Sequence, residues 1–326
     1  MVLEKRFLIG SRPNSSVKLA VFIPAFNEEA TVADVVKGVR LAVKGAQVIV
    51  IDDGSTDSTA AEAAKAGAKV LRHGRNLGLA RAFSDGIEAA LKAGADAAVC
   101  IDADGQYDPK QIPFLLEPIA KGEADIVLGS RFAGEIEDMP LQKRWGNILA
   151  TKVTSLLSGL RITDAQTGLR AFSKEAMLRI NISSDFTYTQ ETIIQAAFKG
   201  LRIKEVPIRF LKRRHGSSRL FSSIFSYAWR AGLTIIKTVF YYAPMTFFSL
   251  AAAASGLIGL AFGARVALNY SETGMVSPHI PSAIISAFFL FGAMVLFVSG
   301  MLANSLNASR RLYEEALYLA KKERYG

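Results

Sequence analysis

The chain has 326 residues, of which 50% are hydrophobic, so it can form one large domain and a smaller second part. Its net charge of +10 indicates an anionic partner, and the placement of basic residues beside apolar runs favours a membrane surface over nucleic acid. Cys100 is the only cysteine, which excludes an internal disulfide and a cysteine-based zinc site. The N-terminal residues contain no long apolar run, so we expect no cleavable signal peptide.

Short apolar runs alternate with amphipathic segments in the first half of the chain, after a polar tail at residues 1–17. The runs predict buried strands at residues 18–24, 47–51, 69–72, 97–101 and 125–128. Helices are predicted at residues 30–43, 78–93 and 109–120, the last with a proline near its start. This alternation predicts an α/β domain with a mostly parallel, Rossmann-like sheet.

Polar residues follow several of these strands. The run 97–101 ends in Asp102-Ala103-Asp104, and paired carboxylates suit Mg²⁺ or Mn²⁺ with a substrate phosphate as a further ligand. Taken alone, such a pair is more typical of a solvated loop. Polar groups also follow other strands, however, at residues 24–28, 52–57 and 129–131. Because the carboxyl ends of parallel strands share one crevice, these groups are expected to form a single site for a metal-bridged diphosphate.

The second half of the soluble region continues with a predicted helix at residues 141–157, a polar turn at 163–170 and a helix at 189–199. Residues 201–210 alternate as a strand, and Pro207 places that strand at an edge of the sheet. A basic, glycine-containing loop at residues 212–219 then closes the soluble region.

Apolar segments dominate the remainder of the chain. Residues 221–242 have the composition of a helix in the membrane interface, with an amphipathic helix packed on its own domain as an equal alternative. Residues 243–264 and 280–306 lack charges and exceed the about 20 residues that a spanning helix needs. Lysine and arginine lie outside this pair, so both termini are expected to be cytoplasmic. The predicted boundaries are 1–17, 18–219, 220–242, 243–306 and 307–326, the last segment being a cytoplasmic tail.

Five blocks of sequence resemble the family 2 inverting glycosyltransferases, and in particular the dolichyl-phosphate mannose synthases and related polyprenyl-phosphate glycosyltransferases. The blocks are FIPAFNE at 22–28, IDDGSTD at 51–57, DAD at 102–104, GSR at 129–131 and GLR at 168–170. The resemblance implies the nucleotide-sugar-binding fold called GT-A. It also implies transfer of one sugar, such as mannose or glucose, from a GDP or UDP sugar to a polyprenyl (dolichyl-type) phosphate, with inversion, at the cytoplasmic membrane face.

Positions within these blocks imply roles for individual residues. The nucleotide pocket would be lined by Pro24, Ala25, Asn27 and Glu28, with Asp53 in contact with the nucleotide. Asp102 and Asp104 would handle the metal and the diphosphate, with Gln106 as a possible further metal ligand. The residues implied for catalysis are Asp104, Arg131, Asp164, Arg213 and Arg219.

Three of the implied assignments are less direct. Arg219 stands where the family usually has lysine, and a planar guanidinium does not freely replace a point charge. Asp164 is either at the reacting centre or a turn cap, and Glu191 is either an acid near the acceptor or a structural residue. His73 and His279 are expected to have no role in the site.

Two other kinds of function are weighed against this hypothesis. A membrane transferase with a sugar or lipid hydroxyl acceptor, as in glycolipid or polysaccharide synthesis, needs a positioned base, whereas a phosphate acceptor is already anionic. Processive synthases usually carry a Gln-x-x-Arg-Trp element, and Lys143-Arg144-Trp145 lacks its spacing. A non-catalytic membrane scaffold would be expected to lose the paired acids. The sequence does not decide the nucleotide, the hexose or the oligomeric state.

Overall fold

The computed structural model describes residues 17–182, 188–213, 240 and 243–326. These residues form two compact units. The sheet unit contains the described residues up to Arg213 together with residues 317–326, and the helical unit contains those between 240 and 316. The predicted interfacial segment 220–242 (except residue 240), Arg219 and residues 1–16 of the predicted tail lie outside the described residues.

The described part of the sheet unit contains a seven-stranded sheet with the order β3-β2-β1-β4-β6-β5-β7. The strands are β1 (Leu19–Ala25), β2 (Gln47–Asp52), β3 (Lys69–Arg72), β4 (Ala97–Cys100), β5 (Ile126–Ile136), β6 (Arg170–Ser173) and β7 (Ile203–Phe210). Among these seven described strands, only β6 is antiparallel to its neighbours. The prediction of a mostly parallel sheet is therefore confirmed, as is the position of the strand with Pro207 at an edge.

The strand β6 differs from the sequence prediction, which has a polar turn at residues 163–170 and no strand after it. It has four residues and begins at Arg170, whose side chain is fully buried. A charged residue at the start of so short a strand conceals the apolar pattern on which strand prediction depends.

Helices cover both faces of the sheet. They are α1 (Val32–Ala42), α2 (Thr59–Lys65), α3 (Leu79–Lys92), α4 (Ile112–Ala120), α5 (Leu141–Ser158), α6 (Lys174–Arg179) and α7 (Tyr188–Phe198), with a 3₁₀ turn at Pro109–Gln111. A single 3₁₀ turn thus precedes α4, within the segment that the sequence predicted as one helix.

The interior strand β1 is buried on both faces, which is typical of a parallel strand between two helix layers. Phe22 on β1 packs against Phe83 on α3, with 5.4 Å between ring centres. A Cβ atom at Gly86 would lie 2.2 Å from the Phe22 ring, so α3 approaches the sheet as closely as a glycine allows. Each fully buried side chain of this size contributes about 1.5–3 kcal/mol to stability, and this packing joins α3 to the sheet.

The helical unit consists of a helix α8 (Pro244–Thr273) and most of a helix α9 (Ile280–Tyr325). Both helices are long and apolar enough to cross a membrane, by length and composition. Ser286 Oγ donates to the Gly259 carbonyl at 2.7 Å, and a Cβ atom at Gly259 would lie 2.9 Å from Leu290 Cγ. Small residues therefore let the two helices approach closely, as is common between helices in membranes.

The helix α9 is longer than the predicted second span at 280–306. It continues to Tyr325 because residues 307–325 are rich in good helix formers and contain neither proline nor glycine. Residues 317–326 belong to the sheet unit, where the Tyr318 hydroxyl donates to Glu175 Oε1 at 3.0 Å and Lys321 Nζ donates to Asn181 Oδ1 at 2.6 Å. The segment expected to be a tail thus contributes part of the folded sheet unit.

Candidate active site

The parallel strands β1, β2 and β4 end at the same edge of the sheet. Ala25 pairs with Asp52 in register, and Asp53 N donates to the Ala25 carbonyl at 2.8 Å. Pro24 and Ala25 are buried, so they can contact a ligand at this edge mainly through backbone atoms. Three of the polar segments that the sequence predicts in one crevice therefore lie at the ends of neighbouring strands. Residues 129–131 differ from the prediction: they lie within β5, which continues to Ile136 and does not end at residue 128.

Hydrogen bonds join the loops after β1 and β2. Asn27 has a positive φ of 52°, and its N–H donates to Ser55 Oγ at 2.9 Å. Its side-chain oxygen accepts from Thr56 N at 2.8 Å, and Glu28 N donates to Thr59 Oγ1 at 2.8 Å. Asparagine tolerates left-handed backbone better than most residues, which explains its presence at this turn. Asn27 thus braces the two loops in which the sequence predicts nucleotide binding.

The Asp53 side chain is buried, and its carboxylate already has hydrogen-bond partners within the protein. Its carboxylate accepts from Leu77 N at 2.8 Å and from Gly78 N at 2.9 Å, and Oδ1 lies 2.7 Å from His73 Nδ1. The other ring nitrogen of His73 lies 2.9 Å from Asp85 Oδ2. Asp53 therefore holds the loop that precedes α3, and direct contact with the nucleotide stays a prediction. His73, which the sequence analysis set aside, joins two carboxylates at this loop.

The paired carboxylates Asp102 and Asp104 follow β4 directly. Asp102 is half-buried, and burial together with the charge of Asp104 raises the pKa of Asp102 to about 7. A Cβ atom at Gly168 would lie 2.2 Å from Asp102 Oδ2, so only glycine leaves room for this carboxylate. Two acids held together in this way suit a divalent cation, whose charge would offset their repulsion.

Other metal ligands from the protein are scarce. Among residues 17–182, 188–213 and 243–326, no cluster of three histidine, cysteine, aspartate or glutamate residues is positioned to hold a metal. Gln106 N donates to Asp104 Oδ1 at 3.0 Å, while the side-chain amide of Gln106 donates to the Leu211 carbonyl at 3.4 Å. A cation at Asp102 and Asp104 would thus take its remaining ligands from a bound phosphate, from water or from the Gln106 oxygen.

The segment after β7 reaches the same edge. Arg213 Nη2 lies 2.6 Å from Glu28 Oε1 in a half-buried ion pair. Burial raises the pKa of Glu28, Arg213 opposes that change, and the nearby charge of Asp104 adds to it. Arg213 therefore pairs with a residue predicted for the nucleotide pocket, and that residue interacts electrostatically with Asp104.

Arg131 and Asp164 form a buried pair. Asp164 Oδ2 accepts from Arg131 Nε at 2.7 Å and from Arg131 N at 3.0 Å, and Oδ1 accepts from Nη2 at 2.9 Å. Burial lowers the pKa of Arg131, but the charges of Tyr107, Asp164 and Asp102 outweigh it and hold that pKa above its ordinary value. Asp164 Oδ1 also accepts from Gln166 N at 3.2 Å, so Asp164 caps its turn and orients a guanidinium at once.

Lys143 is a site residue that the sequence analysis did not assign. It lies in the first turn of α5, half-buried, and interacts electrostatically with Asp102, Asp104, Arg131 and Arg213. Burial and the charge of Arg131 lower its pKa. The sequence carried no local signal for this role, because Lys143 stands in a helix far along the chain from the acids it faces.

Arg170 is fully buried at the start of β6, where it pairs with Cys100 at the end of β4, two residues before Asp102. It donates to the carbonyls of Thr167 at 2.9 Å, Ala165 at 2.8 Å and Thr189 at 2.7 Å. Burial lowers its pKa, and its charge acts on Asp102. Arg170 thus ties the turn that contains Gly168 to the start of α7.

Glu191, which the sequence left between two interpretations, is buried on α7. Its Oε1 accepts from Gln195 Nε2 at 3.0 Å. Gln195 Oε1 in turn accepts from Asn181 N at 3.1 Å, next to the docked residues 317–326. Arg219, the remaining implied catalytic residue, lies outside the described residues.

Sequence comparison relates the sheet unit to known proteins. Residues 20–180 match the family described as Glycosyl transferase family 2. The UDP-N-acetylglucosamine–dolichyl-phosphate N-acetylglucosaminyltransferase of Methanococcus voltae is 33% identical, over 61% of this chain and 88% of that protein. The undecaprenyl-phosphate mannosyltransferase of Micrococcus luteus is 30% identical, over 64% of this chain and 89% of that protein.

A solved structure is similar in fold. Glucosyl-3-phosphoglycerate synthase from Mycobacterium tuberculosis, in complex with Mn²⁺, UDP and glucosyl-3-phosphoglycerate, superposes with a TM-score of 0.55. The two are 22% identical, and the match covers 73% of this chain and 81% of that chain. At this level of identity the likeness establishes the fold, which confirms the predicted GT-A architecture. The sheet topology, the paired acids after β4 and these relatives together place the chain in glycosyltransferase family 2, and it is a glycosyltransferase.

Proposed function

We propose that this chain transfers one hexose from a nucleoside diphosphate sugar to the phosphate of a polyprenyl lipid, with inversion at the sugar. The observation that carries the proposal is the electrostatic interaction of Asp102 with Arg131 and Lys143, together with that of Lys143 with Asp104 and Arg213. Such a mixture of charges suits a reaction between two anionic partners. The names of the two relatives above, with dolichyl phosphate and undecaprenyl phosphate, support the same class of acceptor.

The donor would lie against the loops after β1 and β2. Asp102 and Asp104 would hold Mg²⁺ or Mn²⁺ together with the diphosphate, and the cation when bound neutralises charge on the leaving group. The loops braced by Asn27 would receive the nucleoside, and Glu28 would keep Arg213 at the diphosphate end through their ion pair. This arrangement leaves GDP and UDP donors to be separated by experiment.

The hydrogen bonds of Asp164 support a phosphate acceptor over a hydroxyl acceptor. A hydroxyl acceptor needs a base to take its proton, whereas a phosphate monoester is already an anion near neutral pH. Asp164 is a poor candidate for that base because its carboxylate is engaged by the Arg131 guanidinium. Arg131 and Lys143 would instead draw in the acceptor phosphate and offset its repulsion from the donor.

A membrane location fits the lipid acceptor. The helices α8 and α9 are candidates for membrane spans, and basic residues lie on both sides of the pair. By the positive-inside rule the sheet unit would face the cytoplasm, where nucleotide sugars would reach it.

The test is a transfer assay with the purified full chain in lipid nanodiscs. GDP and UDP sugars are supplied in turn with polyprenyl phosphate, and with the unphosphorylated polyprenol as the matched control, and products are read by mass spectrometry. We expect one hexose on the phosphate lipid, no product on polyprenol and no reaction in excess EDTA. Equal transfer to polyprenol or to a glycolipid hydroxyl would support the alternative acceptor and contradict the proposal.

A further inference from the structure

His73 is a nearly buried histidine to which the proposed function gives no part. It follows β3 directly, and its N–H donates to the Asp52 carbonyl at 2.9 Å, so its backbone continues the pairing of β3 with β2. Its side chain is 7% exposed and lies between two carboxylates. Nδ1 lies 2.7 Å from Asp53 Oδ1, and Nε2 lies 2.9 Å from Asp85 Oδ2. The ring therefore joins the loop after β2 to the helix α3.

The sheet holds His73 in place, whereas the other donors to Asp53 lie on a loop. Those donors are the N–H groups of Leu77 and Gly78, and the loop has glycine at both position 74 and position 78. Glycine loses more conformational freedom on folding than any other residue, so the shape of this loop depends on its contacts. The ring of His73, fixed by its backbone at the end of a strand, is therefore the donor that can set the position of the Asp53 carboxylate.

Asp85 fixes the ring from the other side. Its side chain is 13% exposed and also accepts from Arg81 Nε at 2.9 Å, one turn earlier in α3. Ionised carboxylates only accept hydrogen bonds, so His73 serves both carboxylates when each ring nitrogen carries a proton. Hydrogen bonds to charged groups are stronger than neutral ones, and a ring held at both nitrogens cannot turn without losing one of them.

The Asp53 carboxylate keeps capacity for a ligand. Oδ1 contacts both His73 and Leu77, whereas Oδ2 accepts from Gly78 alone in the part of the chain that the structure describes. A carboxylate oxygen can accept two hydrogen bonds, so Oδ2 can take one more donor, such as a nucleobase N–H or a ribose hydroxyl. The Asp53 side chain is only 5% exposed, so a small displacement decides whether it reaches such a donor.

We propose that His73 is a positioning residue for the sugar-nucleotide donor: Nδ1 holds the Asp53 carboxylate where the nucleoside is predicted to bind, and Asp85 holds the ring through Nε2. This inference rests on the proposed function for the class of donor and is independent of the acceptor. The alternative is that His73 only links β3 to α3 and stabilises the fold. The two explanations differ in whether one ring nitrogen matters more than the other for nucleotide binding.

The test replaces one ring nitrogen at a time. The amide nitrogen of asparagine is as many bonds from the backbone as Nδ1, and that of glutamine as many as Nε2. His73→Asn therefore keeps the donor to Asp53 and loses the donor to Asp85, whereas His73→Gln does the reverse. Each variant loses one hydrogen bond to a carboxylate, so each is the matched control of the other, and their midpoints of thermal unfolding should be alike.

Nucleotide affinity is measured by calorimetry on the full chain with GDP and with UDP, in Mg²⁺ and without lipid acceptor. We expect His73→Gln to raise the Kd of the nucleotide that binds by about tenfold, because the displaced carboxylate loses most of one hydrogen bond to the nucleoside. His73→Asn should leave this Kd nearly unchanged. In steady-state kinetics His73→Gln should raise the KM for sugar nucleotide and keep kcat, the pattern of binding energy lost equally from ground state and transition state.

A second measurement leaves the nucleotide-binding protein unaltered. The chain has three histidines, so histidine labelled with ¹⁵N gives few ring signals, and those lost in His73→Asn belong to His73. On addition of GDP or UDP with Mg²⁺, we expect the Nδ1 signal of His73 to shift more than its Nε2 signal, because Nδ1 contacts Asp53.

Each outcome decides the inference. An equal loss of nucleotide affinity in the two variants, no loss in either, or a larger loss in His73→Asn would overturn it. An Nδ1 signal that does not respond to nucleotide would overturn it as well, even if His73→Gln failed to fold. The expected order of affinities in a protein that makes no polyprenyl product would support the role of His73 and refute the proposed acceptor. A parent protein that binds neither GDP nor UDP would refute both.

Discussion

The two halves of the candidate site are built in different ways. In the loops after β1 and β2 the protein's own groups satisfy one another, as when Asp53 accepts from the N–H groups of Leu77 and Gly78. After β4 the protein instead brings like charges together, and burial with the charge of Asp104 raises the pKa of Asp102 to about 7.

This difference separates recognition from chemistry. Loops that are already braced lose little freedom when they receive a neutral nucleoside, which favours binding. Charges that are only partly balanced within the protein become balanced when a cation and two phosphates arrive, which favours transfer. The comparison predicts that substitutions in the charged half reduce turnover more than they reduce nucleotide binding.

The largest effect is expected from Asp164→Asn, which leaves the buried Arg131 guanidinium without its counter-charge. Removing one partner of a buried pair costs about 3–5 kcal/mol of stability, measurable by denaturant or thermal unfolding in detergent. The control is Asp125→Asn, whose partner Arg202 is largely exposed and whose pair is worth about 0–1 kcal/mol. Equal stability of the two variants would show that the buried pair does not hold this part of the site.

Asp104→Ala is expected to lower kcat by about 10²–10³-fold, because the donor diphosphate and its cation lose a carboxylate that acts in the transition state. Nucleotide affinity measured by calorimetry should change far less, and excess EDTA should abolish turnover of the parent protein. Asp34→Ala on the exposed side of α1 is the control and should be fully active. Full activity of the parent in EDTA would contradict metal dependence.

Arg213→Ala should weaken the interaction with the lipid phosphate, in the bound complex or in the transition state, by about 1.5–3 kcal/mol. This is the usual contribution of a hydrogen bond to a charged group. Steady-state kinetics with polyprenyl phosphate varied at saturating sugar nucleotide would record this as a higher KM or a lower kcat. Lys212→Ala, an exposed neighbour, is the control. Because Arg213 also pairs with Glu28, a loss confined to nucleotide affinity would assign it to the donor half instead.

Gly168→Ala should displace the Asp102 carboxylate, since the new Cβ would lie 2.2 Å from its Oδ2. Such overpacking costs typically about 1–3 kcal/mol, and we expect it to appear as a higher metal concentration for half-maximal activity. At Gly74 a Cβ atom would meet nothing within 4 Å, so Gly74→Ala is the matched control. An unchanged metal dependence in Gly168→Ala would mean that Asp102 does not bind the cation.

The sequence was sufficient wherever a strand runs directly into the polar residues that matter. Asp102 and Asp104 follow an apolar run, so one local pattern predicts both the strand and the acids at its end. The GT-A fold and the enzyme class, predicted from the same blocks, are confirmed. The roles implied for Pro24, Ala25 and the other site residues stay predictions.

The features that were missed depend on residues far apart in the chain. The ring nitrogens of His73 lie within hydrogen-bond distance of Asp53 and Asp85, which are 20 and 12 residues away in the chain. Lys143 on α5 interacts electrostatically with Asp102 and Asp104, which lie about 40 residues before it. Arg170 is a buried cation satisfied by carbonyls, a partner type that sequence patterns do not reveal.

The docking of residues 317–326 on the sheet unit has a consequence for the order in which the protein is made. The ribosome synthesises both candidate spans before it reaches Tyr318 and Lys321, whose contacts with Glu175 and Asn181 belong to the sheet unit. At about 5–20 residues per second, the residues of the sheet unit up to Arg213 are synthesised several seconds before residues 317–326 exist to pack against them. We therefore expect nascent chains stalled before residue 317 to be cleaved by protease near Ile180, and longer ones to be protected there, so that membrane insertion precedes the final step of folding.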